Sequence, residues 1–320
     1  MISVIVPGYN VQRTLDACLE ALLDQTMPRD RYEIIYVDDA STDGSVEVAQ
    51  RYPEVALIRL EANRGQANAR NVGLAQARGE IILFTDADCV PARDWIEAML
   101  KPFADAAVDG AKGIYGTRQT SLVARFAQLE YETRYEIMRR QSAIDFIDTY
   151  SAGYRRAVLE RHGGFDPSFR IDEDQELSFR LAAAGHKMVF NPAALVYHQH
   201  PATLGRYLRR KYHIGYWKAL VLHRHPDKAK GDSHTPQSLK AQLGLAALTG
   251  LGLALAPLRP AFLWLGLGAL AAFALTALPF LAFAARRDAQ VALTALPMLF
   301  LRALALGWGL ARGLLKAALT

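Results

Sequence analysis

Apolar residues near the start of the chain occur as short continuous runs, and a longer segment follows each run in which apolar residues recur every three or four positions. Short apolar runs predict β-strands, and helical spacing predicts amphipathic helices. This alternation predicts a parallel, doubly wound α/β sheet whose strands are joined by right-handed helical crossovers. The predicted strands are residues 2–6, 33–37, 55–60 and 81–85.

Beyond the fourth strand the pattern is less regular. It predicts a strand over 108–117 and a short strand over 188–190 that ends in a turn at Pro192. Residues 150–154 predict a short strand and a turn, where small residues leave room for an acceptor. Helices are predicted over 94–101, 122–140 and 172–184.

The last third of the chain consists of long Ala/Leu/Gly runs with few charges. Residues 261–285 carry no charge and are long enough to cross a bilayer, residues 243–258 are short for a span, and residues 291–319 fit either a third span or an interfacial helix. We predict a sheet domain over 1–225, a polar linker over 226–240 and two or three membrane-anchoring helices over 241–320. If residues 243–258 cross outward and residues 261–285 cross back, Arg286 and Arg287 lie on the cytoplasmic side, in agreement with the positive-inside rule.

Charge and cysteine content refine this picture. The 320-residue chain has a net charge of +5, but nearly all acidic residues lie before residue 233, so the basic excess belongs partly to a membrane-proximal region. We do not interpret it as a nucleic-acid footprint. Cys18 and Cys89 do not suggest a disulfide framework. No signal peptide precedes the strand at 2–6, so we expect the sheet domain in the cytoplasm, at the inner (cell) membrane.

Two carboxylates follow the fourth predicted strand, where open α/β sheets place their ligands. Asp86 and Asp88 are two positions apart, so both side chains point to the same side if the strand continues. They can then share one divalent cation, or hold one ribose and one cation. The structural alternative is an ordinary strand-to-helix turn, in which Asp88 or Asp94 caps the next helix.

Polar residues suited to a nucleotide follow the other three predicted strands as well. Asp39 can accept the imide N–H of uracil or the amino group of another base, and Tyr9 can cover the face of the base. Taken alone, each residue also has a structural interpretation: Asp38 and Asp39 can form a turn, Tyr9 can be a packing aromatic and Arg70 a surface cation. Together the residues predict a nucleotide pocket. The candidates are Pro7, Tyr9 and Asn10, then Asp38 and Asp39, then Glu61, Asn63 and Arg70.

Several segments together carry a more specific signal than any one of them. They are residues 4–10 (VIVPGYN), 37–45 (VDDASTDGS), 63–65 (NRG) with 69–73 (ARNVG), and 86–88 (DAD). Their succession resembles the motifs of family 2 glycosyltransferases, over roughly residues 2–225. The resemblance implies a Rossmann-like GT-A fold with a mostly parallel sheet, followed here by an all-α transmembrane region. It implies that Pro7, Tyr9, Asp39 and Arg70 hold the nucleoside, Asp86 the ribose side, and Asp88 a Mg²⁺ or Mn²⁺ ion on the sugar diphosphate.

A cluster of carboxylates opens the helix predicted over 172–184. The helix macrodipole favours acidic residues in a first turn, which accounts for Glu176 without a catalytic role. Three carboxylates exceed what a cap needs, and residues 172–177 (DEDQEL) resemble the family's Glu-Asp-x-Asp/Glu-Leu segment. The resemblance implies that Asp174 is the general base and that Glu173 and Glu176 support it.

Two later segments bear on the chemistry. His198 can supply a metal ligand, since imidazole suits Mn²⁺ better than Mg²⁺, or it is an ordinary loop residue. Arg206, Arg209, Arg210 and Lys211, interleaved with tyrosines and a tryptophan, form a basic aromatic segment suited to phosphates or an anionic leaflet. The sequence lacks the Gln-x-x-Arg-Trp segment associated with processive synthases of the family, which favours transfer of a single sugar.

The sequence therefore predicts a metal-dependent, inverting glycosyltransferase that moves one sugar from a nucleotide-sugar donor, in particular a UDP-sugar, to a lipid-linked or envelope polysaccharide acceptor. The close alternative is a polyprenyl-phosphate sugar synthase. A nucleotidyltransferase is disfavoured because its Gly-rich, basic segment is absent after the first strand. A non-catalytic membrane scaffold is disfavoured by the intact carboxylates.

Overall fold

The computed structural model describes residues 1–319, which form two compact units. The first comprises residues 1–118 and 138–199, and the second comprises residues 119–137 and the chain from residue 200 onward. Residues 119–137 and 200–224 thus group with the C-terminal helices. The predicted organisation into a domain over 1–225, a linker over 226–240 and a membrane region over 241–320 stays a prediction.

The first unit is built around one sheet of eight strands. The strands are β1 (Ile2–Gly8), β2 (Tyr32–Asp38), β3 (Val55–Arg59), β4 (Ile81–Phe84), β5 (Cys89–Pro91), β6 (Val108–Gly116), β7 (Ala152–Arg155) and β8 (Lys187–His198). Their order across the sheet is β3-β2-β1-β4-β7-β6-β8-β5. The pairs β1–β2, β1–β4, β2–β3 and β6–β8 are parallel, whereas β4–β7, β6–β7 and β5–β8 are antiparallel. The prediction of an α/β fold with a mostly parallel sheet is confirmed.

Helices of the first unit connect the strands and cover the sheet. They are α1 (Leu15–Leu23), α2 (Ser45–Ala49), α3 (Gln66–Gln76), α4 (Trp95–Leu100), α6 (Arg156–Arg161) and α7 (Glu173–Ala183). Every residue of β1 is buried, as an unbroken apolar strand predicts for a sheet covered on both faces. One core cluster contains Ile5 of β1, Phe84 of β4 and Leu177 of α7. The carboxylate-rich start of α7 is therefore anchored to the same core as the central strands.

One prediction about the sheet is wrong. Instead of ending at residue 190, β8 runs to His198 and passes through Pro192. Its pairing with β6 jumps from Lys112–Phe190 to Ile114–Leu195, so Pro192 lies in a bulge, where a missing N–H removes no ladder hydrogen bond. The short strand β5 pairs with the end of β8 and carries no periodic signal of its own, because three residues are too few.

All the regular secondary structure in the described part of the second unit is helical. Its helices are α5 (Leu122–Met138), α8 (Leu204–Arg224), α9 (Gln237–Leu255), α10 (Pro260–Ala285) and α11 (Ala289–Ala318). Met138, the last residue of α5, belongs to the first unit. By length and composition α9, α10 and α11 could each cross a membrane, so the predicted C-terminal apolar helices are present. The basic aromatic segment forms α8. Single turns of 3₁₀ helix occur at Arg29–Arg31, Lys101–Ala104, Thr149–Ser151 and Pro226–Ala229.

Substitution of Gly113, which lies opposite the bulge of β8, tests the packing of the sheet at this point. A Cβ there would collide with the Ser151 side chain and with the backbone oxygen of Ala194, so Gly113→Ala should lower the free energy of unfolding by about 1–3 kcal/mol. Gly205→Ala is the control, because it has open space around it and should cause no loss. Apparent melting temperatures of the detergent-solubilised variants check this, and equal values would contradict the described packing.

Candidate active site

The loops that follow β1 and β2 are joined to each other. The backbone N–H of Asn10 donates to Ser41 Oγ at 2.9 Å, and the N–H of Thr42 donates to Asn10 Oδ1 at 2.9 Å. The N–H of Val11 donates to Ser45 Oγ at 2.8 Å. Because β1 and β2 are parallel, both loops leave the same edge of the sheet, and these bonds combine them into one wall.

Asp39 extends this wall to the loop after β3. Its two carboxylate oxygens accept hydrogen bonds from the backbone N–H groups of Arg64, at 2.9 Å, and Gly65, at 2.8 Å. Gly65 has a φ of 90°, a conformation that favours glycine. Asp39 is buried, and its predicted contact with a base stays a prediction.

The other predicted nucleotide residues lie at the same edge but differ in exposure. Pro7 is buried within β1, whereas Tyr9 is exposed. Asn63 is exposed in the loop between β3 and α3. Tyr9 follows Gly8, whose backbone oxygen accepts from the N–H of Asp39 at 2.8 Å. An exposed ring at this position suits a residue that covers a base only when one is bound. The roles of these residues stay predictions.

Three non-glycine residues, each adjacent in sequence to a predicted site residue, adopt left-handed backbone conformations. Asn10 has a φ of 54°, Ala40 of 61° and Asp172 of 64°. Asparagine and aspartate tolerate this region, but alanine is disfavoured there by roughly 1–2 kcal/mol. Ala40 follows Asp39, and Asp172 precedes Glu173. Such strain persists where the surroundings fix the backbone, as they do around functional sites.

Arg70 is the centre of the site. It lies on α3 with 1% of its side chain exposed, donates to Asp86 at 2.8 Å, and forms a short ion pair with Glu173. It also donates to Gln66, one turn earlier, at 2.9 Å. Burial alone would lower the pKa of Arg70, but the charges of Glu173, Asp86 and Asp174 outweigh that effect and raise it. The guanidinium therefore stays charged and joins the end of β4 to the start of α7.

Asp174 is held next to this ion pair. Its Oδ1 accepts from the N–H of Gln175 at 2.8 Å, and its Oδ2 accepts from the N–H of Thr149 at 3.3 Å. Burial raises the pKa of Asp174, and Arg70 opposes the rise. Burial likewise raises the pKa of Glu173, with Arg70 opposing and the charge of Asp174 adding to it. Asp174 is half-buried and its carboxylate is held by backbone N–H groups; its role as general base stays a prediction.

Glu176 has a structural contact that distinguishes it from Asp174. Its carboxylate accepts from Arg180 at 3.0 and 2.9 Å, and Arg180 in turn donates to the backbone oxygens of His162 and Gly164. Glu176 therefore fastens α7 to the loop at residues 162–164, in addition to any effect of the helix macrodipole.

A cation site can be built from the residues that follow β4. Ligand atoms of Asp86, Asp88 and Cys89 all lie within 4.8 Å of one another. Burial and the nearby Asp88 and Asp86 raise the pKa of the Cys89 thiol well above its ordinary value, so it is a poor ligand. Oxygen donors remain, as Mg²⁺ and Mn²⁺ prefer. Arg70 binds one oxygen of Asp86, whereas the Asp88 side chain is 41% exposed.

His198 reaches this group through the sheet. The β5–β8 pairing places it opposite Cys89, and its Nε2 lies 3.4 Å from Asp88 Oδ2. The Tyr115 ring lies 4.4 Å, centroid to centroid, from the imidazole. The structure thus brings His198 and Asp88 together, which fits a metal site; its role as a ligand stays a prediction.

Several residues that shape the site were missed by sequence reasoning. Asn71 donates to the backbone oxygen of Phe165 at 2.7 Å and accepts from its N–H at 2.9 Å, and the Phe165 ring lies 5.5 Å from the guanidinium carbon of Arg70. Gln66 precedes Arg70 by one helical turn, and this spacing is a signal that could have found it. Nothing local in the sequence indicates the contact between Asn71 and Phe165, which are 94 residues apart.

Comparison with known proteins identifies the class of enzyme. Residues 3–163 match the family model described as "Glycosyl transferase family 2". The chain belongs to this family, in agreement with the motif resemblance. Among solved structures, it is similar to the mannosyltransferase PcManGT from Pyrobaculum calidifontis in complex with GDP-Man and Mn²⁺, with a TM-score of 0.63, 25% identity and coverage of 98% of this chain and 87% of that one. The predicted GT-A fold is confirmed.

Curated relatives are glycosyltransferases as well. The chain is 28% identical to "Glycosyltransferase AglE" of Haloferax volcanii over 219 residues, covering 67% of this chain and 71% of that protein. It is 29% identical to the "Pre-mycofactocin glycosyltransferase" of Mycobacterium tuberculosis over 231 residues, covering 68% of this chain and 48% of that protein. The match thus spans about half the length of the mycobacterial relative.

Removing the guanidinium tests the centre of the site. Arg70→Met should lower the free energy of unfolding by about 3–5 kcal/mol, because Glu173 is left buried without its charge partner. The loss should shrink as the pH falls, since a protonated Glu173 carries no charge to bury. Denaturant unfolding of the purified protein measures both effects.

The matched control is Arg51→Met, which breaks an exposed ion pair with Asp16 and should cost less than about 1 kcal/mol. Equal losses in the two variants would contradict the central role of Arg70.

Proposed function

We propose that this chain is a membrane-anchored, metal-dependent, inverting glycosyltransferase that moves one sugar from a nucleotide-sugar donor to a lipid-linked or envelope polysaccharide acceptor. The observation that supports this best is the ion-pair bridge through Arg70. It joins Asp86, on the predicted donor side, to Glu173, the neighbour of the predicted base. Residues far apart in the sequence thus form one group of charges. A displacement that joins a donor sugar to an acceptor needs the donor side and the base to be close together in this way.

In the proposed reaction, the acceptor hydroxyl attacks the anomeric carbon of the donor sugar. A C–O bond forms to the acceptor, the C–O bond to the nucleoside diphosphate breaks on the opposite face, and the hydroxyl proton moves to the Asp174 carboxylate. A single displacement inverts the anomeric configuration and needs no covalent sugar intermediate. Glu173, bound to Arg70, is the supporting residue that fixes the start of α7.

The donor site follows from the wall of loops. Asp39 would accept a hydrogen bond from the base, Tyr9 would cover it, and Pro7, Asn63, Arg70 and Asp86 would complete the surroundings of the nucleoside. Mg²⁺ or Mn²⁺, when bound by Asp88 with His198, supplies charge that stabilises the leaving diphosphate. We propose a UDP-sugar donor, since Asp39 suits the imide N–H of uracil; GDP-mannose is the second candidate, because PcManGT binds it.

The apolar helices support the proposed location and acceptor. Three helices of the second unit could cross a membrane, and a lipid-linked acceptor would be available at its surface. We propose attachment to the inner (cell) membrane with the sheet unit in the cytoplasm. The same helices favour polyprenyl phosphate as an alternative acceptor, whose phosphate oxygen needs less base catalysis.

A donor screen tests the function. Purified protein with Mn²⁺ should release nucleoside diphosphate from one of the UDP-, GDP- or dTDP-sugars, and release should fall when EDTA removes the metal. Adding polyprenyl phosphate separates the two acceptor classes, since formation of a polyprenyl-phosphate sugar identifies the alternative. Pyrophosphate as a product would identify a nucleotidyltransferase, and no release under any condition would identify a scaffold.

Asp174→Asn tests the assigned base. We expect this variant to bind the donor as the wild type does, while kcat for sugar transfer falls by about 10²–10⁴-fold, because the hydroxyl proton loses its acceptor. The control is Glu160→Gln, a substitution of an exposed carboxylate on α6, which should leave kcat unchanged. Full activity of Asp174→Asn would exclude this residue as the base.

The same carboxylate predicts a pH dependence. Transfer needs Asp174 deprotonated, and burial raises its pKa, so kcat should fall with decreasing pH at values above the ordinary aspartate pKa of about 3.9. The midpoint belongs to the coupled Asp174 and Glu173 pair. A kcat profile that stays flat down to pH 4, with the donor saturating, would contradict the raised pKa.

A further inference from the structure

The start of α11 is bound to a charged helix, although α11 is apolar enough to cross a membrane. Arg125 of α5 lies 3.3 Å from Asp288, whose side chain caps α11, and donates to Gln290 at 2.6 Å. Arg287, just before α11, lies 3.3 Å from Glu132 of α5. Charged side chains of this density are not accommodated in hydrocarbon without great cost. The first turn of α11 therefore lies outside the hydrocarbon layer.

The middle of α11 meets a second set of charges. Arg302 lies 2.8 Å from Glu130 of α5, and Lys211 of α8 lies 3.0 Å from the same carboxylate. Arg302 also donates to Gln242 near the start of α9. Burial alone would raise the pKa of Glu130, but Lys211 and Arg302 outweigh it and hold the pKa at about 2. Ionised groups of three helices thus meet at this level.

The spacing between these two charged levels is too short for a span. Thirteen residues, 289–301, precede Arg302 in α11. At the α-helical rise they cover about 20 Å, less than the roughly 30 Å of a hydrocarbon core. The first half of α11 therefore does not cross a bilayer between them.

The second half of α11 follows the basic helix α8. A Cβ at Gly309 would collide with the backbone of Tyr212, and a Cβ at Gly313 with that of Tyr216, so the two backbones are in close contact. Just before this stretch α8 carries Arg206, Arg209 and Arg210 exposed, and Lys218 and Arg224 follow in the same helix. A helix with so many cations does not insert into hydrocarbon, and α11 cannot cross alone while it is packed on such a partner.

The outer face of the second half of α11 is amphipathic. Leu304, Trp308 and Leu315 are exposed, and their spacing of four and seven residues places them on one face of the helix. Arg312 and Lys316, also exposed, flank this apolar stripe. An apolar stripe with basic flanks is typical of helices that lie in the headgroup layer of a membrane.

We propose that α11 is not a third membrane span, but lies in the headgroup layer of an anionic phospholipid bilayer with its exposed stripe toward the lipid and α8 packed on its other face, while the α9–α10 pair alone crosses. The exposed cations of both helices complement the anionic lipids of the cytoplasmic leaflet. This inference rests on the proposed membrane attachment. It places residue 316 on the same side of the membrane as the segment between α8 and α9.

Sidedness labelling of the full chain tests the inference. Lys316→Cys, Lys230→Cys between α8 and α9, and Arg259→Cys between α9 and α10 are treated separately with a membrane-impermeant maleimide, in intact cells and in inverted membrane vesicles; Cys18 and Cys89 are buried. We expect Lys316→Cys and Lys230→Cys to react only in inverted vesicles and Arg259→Cys only in intact cells. Labelling of Lys316→Cys from the side of Arg259→Cys, or from neither side, would overturn the proposal.

A depth measurement provides a second readout. A spin label at Leu315→Cys should lie about 5–10 Å below the phosphate level in phosphatidylglycerol-containing nanodiscs, whereas one at Leu270→Cys, exposed on α10, should lie deeper. Equal depths would overturn the interfacial position. Release of the protein by a carbonate wash would instead refute the membrane attachment itself. Neither measurement depends on enzymatic activity, so failure of the proposed reaction remains distinguishable.

Discussion

The site depends on one buried guanidinium. Arg70 has almost no exposure to solvent and binds carboxylates from two elements that are distant in the sequence, Asp86 after β4 and Glu173 at the start of α7. Removing such charges from water costs several kcal/mol per ion, and the cost is offset only when each has its partner in good geometry. Neither the end of β4 nor the start of α7 keeps its arrangement unless the other is in place. The Arg70 ion pairs therefore form only when α3, the end of β4 and the start of α7 are brought together by the fold of the sheet unit.

Much of this arrangement follows from local sequence. The runs at the first four strands are unbroken because the strands are buried, and the polar residues follow them because parallel strands end at one edge. Asp86, Asp88 and the carboxylates before Leu177 could therefore be placed before any coordinates were known. The GT-A family was equally visible, since its motifs are local and occur in the same succession.

What the sequence did not indicate depends on long-range contacts. β5 is only three residues long and exists because β8 extends past Pro192 to pair with it, and this pairing is what places His198 beside Asp88. The bonds between Asn71 and Phe165 are of the same kind. In the second unit, the sequence left α11 open as a third span or an interfacial helix, because hydropathy averages along a helix and does not reveal that the partners of Arg302, Glu130 and Gln242, come from other helices.

The bonds that join Asn10 to Ser41 and Thr42, and Asp39 to Arg64 and Gly65, have a consequence for affinity. Loops that become ordered only on association lose conformational entropy at that moment, and the loss is subtracted from the binding free energy. Here the ordering is already complete when the chain has folded. A nucleotide bound at the proposed site would therefore meet loops that are already joined to each other, and little of the contact free energy would be lost to ordering them.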